Sequence, residues 1–513
     1  MPGGNMRHRR GRAAATGWLV GILGLCGCTV GPDYERPDAP VPAVYKEAWK
    51  PGPLAKGWEQ SRPADAIDRG AWWSIYHDPI LDRLERQIDI SNQNLKAAEA
   101  AFREAEATVA AARAQFFPTS TLRGSATRTR SSGNSAPTAG FSGGIQSQYL
   151  AETTASWIPD LWGSVRRTVE SNVSTAQASA ATLANARLSA QGELATAYVE
   201  LRVADELSRL LAASVKAFAQ ALQITKNQFA GGTTDESAVQ QAQAQLDATR
   251  AQLVAVGVTR GQLEHSIAVL IGKPPAELTI APTNALLSVP LIPFELPSAL
   301  LQRRPDIAAA ERDMQAANAV IGVDAAAFYP TVTLSADTGV EAEMFRKLFN
   351  VASRIWSVGS TAAETIFDGG ARNAQLEHDK AVYDATVASY RQTVLTAFQQ
   401  VEDELVAERV LAEEAVAEDS AVAAARAAER IINNQYLAGT QAYTAVIVAE
   451  NTALADAESA VNIRQSRLVA SVALIEALGG GWDASQLPTR DKIESDVPLN
   501  FNPLPPTFPA PPK

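Results

Sequence analysis

Cysteine is almost missing from the chain: Cys26 and Cys28 are the only two, both close to the N-terminus. Everything after them is therefore free of disulfide and thiol chemistry. No later stretch reaches the roughly 18 consecutive apolar residues from which a membrane-spanning helix is read. Aromatic residues make up only 6 % of the sequence against 46 % hydrophobic. Together with an Ala-rich middle, that balance favours long, closely packed helices. Positive charge is also scarce. With 45 Lys and Arg against 56 Asp and Glu, the net charge is −11, which argues against a nucleic-acid partner. The one basic cluster, Arg7, Arg9, Arg10 and Arg12, lies at the extreme N-terminus.

Catalytic and metal-binding patterns are wanting too. His77, His265 and His378 are isolated in sequence. No Ser/His/Asp grouping with an elbow, no phosphate-binding Gly loop and no metal-ligand spacing is found. Carboxylates such as Glu402, Asp403 and Glu404 read as a hydrated helix face. No catalytic residue, metal ligand or diffusible cofactor is expected.

What the chain does contain is two very long stretches without helix breakers. Ala371–Leu437 runs for 67 residues with neither Gly nor Pro. Its apolar residues Tyr383, Val387, Tyr390, Val394, Phe398, Val401 and Leu405 alternate steps of three and four, a helical seam. Ser164–Ala230 is a second such stretch, with Gly192 as its one weak breaker. At 1.5 Å per residue each helix would be about 100 Å long, which no compact domain can bury. The two rods must lie against other helices in an elongated assembly.

Between the helical stretches the hydrophobic period changes to two. Thr331–Asp337 and Gly144–Trp157 alternate polar with apolar residues, and Thr119–Thr127 and Arg354–Phe367 complete four expected strands. One polar face, one weakly apolar face, and Tyr149, Trp157 and Trp356 for the interface fit either soluble strands with one solvated face or a membrane barrel with a wet lumen, and the lipobox-like Leu25-Cys26-Gly27-Cys28 near the N-terminus favours the barrel. Four strands cannot close a barrel, and an open sheet edge is forbidden in lipid. Several copies must share one: two would give eight strands and three would give twelve.

The chain also repeats itself. Phe116-Phe117-Pro118-Thr119 recurs as Phe328-Tyr329-Pro330-Thr331, and Asn227–Thr233 recurs as Asn434–Thr440. The resulting division is a signal segment over 1–27, an extended arm over 28–77 and a first helix-strand-strand-helix repeat over 78–272. A Pro-rich linker over 273–296 leads to a second repeat over 297–480, and a Pro-rich tail over 481–513 ends the chain. The first helical pattern is expected to run from Asp78-Pro79 to Phe116.

At the N-terminus the arginines precede Trp18–Leu25, a charged and then apolar signal. It ends in Leu25-Cys26-Gly27-Cys28, which resembles the bacterial lipobox. That resemblance implies cleavage before Cys28 and a covalent lipid there, S-diacylglycerol plus N-acyl. Thr29 in the next position, where an Asp would retain the protein at the inner membrane, implies sorting to the outer membrane of a Gram-negative bacterium.

Further motifs occur in order along the chain: Gly31-Pro32-Asp33-Tyr34 with Arg36-Pro37, Trp72-Trp73 with Asp78-Pro79, Leu296-Pro297-Ser298 through Arg303-Arg304-Pro305-Asp306-Ile307, and Ala316–Ala319 with Ile321-Gly322. Taken together the chain resembles the outer-membrane efflux lipoproteins, the OprM/NodT branch of the TolC-like channels, from Cys28 to Gly480. The resemblance implies a mainly α fold with a shared membrane β-barrel. Three chains would form a twelve-stranded barrel continuous with a periplasmic tube of coiled-coil helices. It implies a passive duct for drugs or other toxic small molecules, fed by an inner-membrane pump through a periplasmic adaptor. An outer-membrane duct for type I protein secretion and a pore-less periplasmic coiled-coil scaffold are the alternatives.

The same resemblance assigns the adaptor contact and the dilating end of the tube to the turns at Gly231, Gly232 and Thr233 and at Gly439, Thr440 and Gln441. Relatives often line the constriction with an acidic residue in the helix after the second turn. Here that run is Val446-Ile447-Val448-Ala449-Glu450. The expectation is therefore an apolar constriction at Val446 and Val448, closing by packing and dewetting.

Overall fold

The computed structural model describes residues 29–47, 70–130, 145–283, 287–290 and 297–501. Helix α1 (Pro79–Ser91) starts where Asp78 Oδ1 accepts from the amides of Ile80 and Leu81, with Pro79 in the first turn. The expected single helix to Phe116 is broken at Asn92. Its backbone is extended and its side chain caps α2 (Gln93–Ala114) by accepting from Leu95 N at 3.0 Å. A hairpin of β1 (Thr119–Arg130) and β2 (Ile145–Trp157) comes next, then the rod α3 (Ser164–Ala230) and the returning helix α4 (Glu236–Leu270). The second half repeats the order: α5 (Pro297–Arg303), α6 (Pro305–Ala326), β3 (Thr331–Ala342), β4 (Arg354–Ala363), the rod α7 (Ala371–Leu437) and α8 (Tyr443–Ala477). Both rods have the bounds their composition implies. Strand β4 stops at Ala363, four residues short of the expected end, while β1 and β3 run further than their alternation suggested.

Each rod is covered along its length by two shorter helices stacked end to end. Helix α4 ends against the break after α1, where Asn92 Nδ2 donates to Leu270 O at 2.7 Å. In the second half Arg304 Nη1 donates to Ala477 O at 3.0 Å, joining the end of α8 to the start of α6. A glycine in left-handed backbone makes each junction possible. Gly272 (φ 67°) and Gly479 (φ 94°) lie so close to the carbonyls of Ser91 and Arg303 that a Cβ would come within 2.0 and 2.1 Å of them. The two glycines thus make equivalent backbone contacts in the two halves of the chain.

The main core lies where these junctions meet. Trp72, Tyr76, Leu81, Ile88, Leu194, Leu201, Ile271, Ile307, Met314, Val394, Val401 and Ile475 are all buried there. A buried polar network crosses the same level. Asp205 accepts from Arg202 Nη1 (3.0 Å) and from Arg260 Nε (2.7 Å). Arg202 also donates to Tyr198 Oη (2.9 Å), which donates in turn to Asp78 Oδ2 (2.8 Å). The same two arginines bond the carbonyls of Ala281 and Ile280, so the linker is tied onto α3 and α4 at this point.

The described segments nearest the two termini are docked as well. Residues 29–47 form a strap: Arg167 pairs with Asp33 at 2.8 Å, Arg36 donates to Tyr390 Oη at 2.9 Å, and Tyr45 is buried beside Phe398. Glu402 accepts from the amides of Lys46 and Glu47, so this carboxylate anchors the strap and is not merely hydrated surface. The expected tail contains α9 (Arg490–Asp496), whose Ile493 packs with Val109, Ala112, Val169 and Val173.

Candidate conduit: the sheet faces and the tube tips

The four strands form one antiparallel sheet in the order β1-β2-β3-β4, with β1 and β4 at its edges. Its register sorts every side chain onto a face, because directly paired residues share a face and successive ones alternate. The rows Leu122–Thr153–Thr338–Trp356 and Ser120–Ala155–Ala336–Val358 lie on one face. Tyr149, Ala151, Trp157, Leu334 and Val340 share it. The opposite face holds Thr121, Arg123, Gln148, Glu152, Thr154, Ser335, Asp337, Glu341 and Ser357. Arg123 is directly opposite Glu152, Gln148 donates to Glu341 at 2.6 Å, and Ser357 donates to Asp337. One face is suited to lipid and the other to water. Trp356 and Leu122, 77 % and 81 % exposed in the single chain, have no protein cover. Among the described residues no helix is long and apolar enough to cross a membrane.

At the far ends of the rods the two turns are copies of one another. The amides of Thr233 and Thr440 donate to the carbonyls of Gln228 and Gln435, five residues back, at 2.9 and 3.0 Å. Those of Gly232 and Gly439 donate to Phe229 and Tyr436, and both threonine hydroxyls reach the same glutamine carbonyls at 3.0 Å. This is a Schellman-type cap, and the left-handed residue it requires is Gly232 (φ 71°) or Gly439 (φ 75°). Gly231, Gly232, Thr233, Gly439, Thr440 and Gln441 are all exposed. The hairpins differ past the turn: Asp235 caps α4 through Ala238 N, whereas Ala442, which precedes α8, has no polar side chain to cap it. The α7–α8 hairpin is instead tied to α3 by Tyr436, which donates to Gln228 Oε1 and whose ring lies tilted against that of Tyr443.

The structure separates the two valines of the expected constriction. Val446 is 2 % exposed and packs with Phe218, Leu222, Leu246 and Tyr443 inside the protomer. It cannot line a passage in this conformation, because its side chain faces α3 and α4. Val448 is 65 % exposed, in a shallow apolar groove with Ala425, Ile432, Ala445 and Thr452. Cys28 lies outside the described residues.

Two residues beyond Val448 lies a half-buried acid that sequence reasoning passed over. Burial, reinforced by Glu429 across on α7, raises the Glu450 carboxyl from 4.5 to about 7, and its Oε2 has no hydrogen-bond partner among the described residues. Because the folded state holds this proton above the unfolded pKa, stability falls as pH rises from about 4.5 to about 7 and is level above that. Replacing Glu450 with Gln should remove this loss. At pH 8 the variant is expected to be more stable by about 2 kcal/mol, allowing for partial exposure, and indistinguishable at pH 4. Thermal melts at the two pH values measure the difference.

A sheet with one lipid face and one wet face, continued by two rods of 67 residues that end in matched turns, defines an outer-membrane channel subunit. The family model described as outer membrane efflux protein matches residues 85–273 and 296–480, and the chain belongs to that family. Two relatives from Pseudomonas putida, the antibiotic efflux pump outer membrane protein ArpC and the toluene efflux pump outer membrane protein TtgC, are each 30 % identical. Each alignment spans 91 % of this chain and 95 % of the relative. The solved structure of the outer-membrane channel OprN is similar with a TM-score of 0.81 at 30 % identity, covering 89 % of this chain and all of that one. The protein is thus an outer-membrane efflux channel component with a TolC-like fold.

Proposed function

We propose that three copies of this chain form a passive duct through which an inner-membrane transporter, joined by a periplasmic adaptor, expels small molecules. The observation that carries this reading is the pair of free sheet edges on β1 and β4, which a membrane barrel must close. Three copies give the twelve strands of a barrel wide enough to continue into a helical tube. The relatives' names specify antibiotics and toluene, so we assign amphiphilic and apolar small molecules as cargo rather than secreted proteins. The duct performs no catalysis in this reading: its geometry is that of a wall, with selection left to the transporter.

The exposed turns at 231–233 and 439–441 serve as the adaptor contact, and Val448 alone of the expected pair serves as an apolar lining of the constriction. Lipidation of Cys28 is supported by its neighbour. Thr29 packs against Gly163, and Val30 N bonds Trp162 O at 3.1 Å, where β2 passes into α3. Acyl chains attached there would enter the leaflet beside the barrel base. Mass spectrometry should find residues 1–27 absent and acyl chains on Cys28; an unmodified N-terminus elsewhere would refute the anchor.

The duct reading is tested by deleting the gene and measuring accumulation of a dye and sensitivity to toluene and antibiotics. Accumulation should rise several-fold and return to normal on complementation. Unchanged accumulation, with failure of adaptor cross-linking from cysteines placed at Thr233 and Thr440, would overturn it.

A further inference from the structure

The outward face of the sheet carries charge where an apolar band would be expected to continue. On β1 the residues that come after Leu122, Gly124 and Ala126 at the same parity are Arg128 and Arg130. They lie opposite Ser147 and Ile145, on the face of Tyr149. On β4 the first residue, Arg354, pairs with Val340 and shares the face of Trp356 and Val358. All three arginines are exposed, at the loop ends of their strands, away from the rods. The segment after β3 folds over this same face, placing Phe345 against Tyr149 with ring centres 5.8 Å apart, and it presents the exposed Arg346 and Lys347. None of these five cations forms an ion pair among the described residues; Arg346 reaches only Met344 Sδ, at 3.6 Å.

Parity excludes a role for the three strand arginines toward cargo, since the water-facing residues are the alternate ones. An Arg on the lipid face is costly at the bilayer midplane and close to neutral near the headgroups, so their place at the loop ends is the tolerable one. Sheet order adds the decisive point. Because β1 and β4 are the two edges, closing a barrel from copies sets the β4 of one chain beside the β1 of the next. Each seam then gathers Arg128 and Arg130 with the partner's Arg354 on one outward patch. Clustered guanidiniums call for an anion, and their planar fork matches phosphate bidentately. Directly below them Tyr149, Trp356 and Val358 offer apolar cover for acyl chains.

We infer that each seam between copies binds the phosphate groups of a phosphorylated glycolipid in the outer leaflet. This assignment rests on the trimeric duct described above. The bound lipid would join two copies by its headgroup, so it would strengthen the assembly as well as seat it in the membrane.

The test uses full-length protein in mild detergent and native mass spectrometry, which reads copy number and bound lipid together. Wild type and the triple variant Arg128→Gln/Arg130→Gln/Arg354→Gln are incubated with bis-phosphorylated lipid A, with its dephosphorylated form, or with phosphorylated lipid A plus inorganic phosphate. The expected result is about one phosphorylated lipid per seam in the wild type. The triple variant should remain trimeric and bind roughly tenfold more weakly, with partial recovery when the same positions carry Lys. Dephosphorylated lipid should bind weakly to both. Equal binding by a trimeric triple variant, or no preference for the phosphorylated lipid, would overturn the assignment. Displacement by inorganic phosphate at lipid-equivalent concentration would also do so, because the site would then take free anions. A monomeric wild type would instead overturn the duct itself, so the two failures are told apart.

Discussion

Ala397→Pro is expected to abolish the assembled channel. Ala397 is fully buried at the middle of α7, between the seam residues Val394 and Phe398 and one turn from Val401. Proline there removes an amide from the helix ladder and drives its ring into the preceding turn, costing about 3 kcal/mol or more per copy. In the proposed trimer the lesion occurs in every copy at the level of the main core, where α7 meets α6 and the strap. Ala397→Gly is the graded control: it keeps the amide and should cost about 1 kcal/mol. Native gel electrophoresis and drug-sensitivity complementation should show loss with Pro and near-normal behaviour with Gly. Equal behaviour of the two variants would mean that α7 is not a continuous helix under tertiary load.

The second large effect is expected at Asp205. It is the single carboxylate shared by Arg202 and Arg260, and the side chains of Asp205 and Arg202 are almost wholly enclosed. Asp205→Ala leaves the enclosed Arg202 without a carboxylate and Arg260 with only the 3.4 Å contact to Glu264, a loss of about 3–5 kcal/mol by analogy with other broken buried pairs. The linker should loosen at the same time, because Arg202 and Arg260 hold the carbonyls of Ala281 and Ile280. Thermal melts together with proteolysis near residue 280 report both consequences. A melting temperature within a degree or two of wild type would show that the network is incidental. The double variant Asp205→Ala/Arg260→Met should recover part of the loss, since it restores the balance of one cation to its hydrogen-bond partners.

These two sites mark the limits of what could be read in the amino-acid order. The rods were legible because a 67-residue interval without Gly or Pro admits few alternatives, and glycines stand at both ends to close it. The strands were legible through period-two alternation; β1 was read short because Arg128 and Arg130 interrupt the apolar parity at the rim, whereas β4 begins at Arg354 where it was expected and ends early at Ala363. The break at Asn92 was missed: a polar residue at one turn of an amphipathic pattern looks like solvent face until its cap on α2 is seen. The Asp205 network was missed for a related reason. Charged residues on a long helix normally face water, and only the docking of α4 and the linker encloses these. Similarly, Val446 and Val448 are two apart and chemically identical, yet helical geometry sends one into the protomer and leaves the other outside. Nothing in the local sequence distinguishes them; the positions of Phe218 and Leu246 on other helices do.

The central claim is that this four-stranded chain becomes a channel only by sharing its sheet with copies of itself. Native mass spectrometry of the purified, full-length protein in mild detergent tests this most directly. A single dominant species containing three chains is expected, which persists on dilution and dissociates only on unfolding. A stable, folded monomer would leave the edges of β1 and β4 unpaired in the membrane and would contradict both the barrel and the tube.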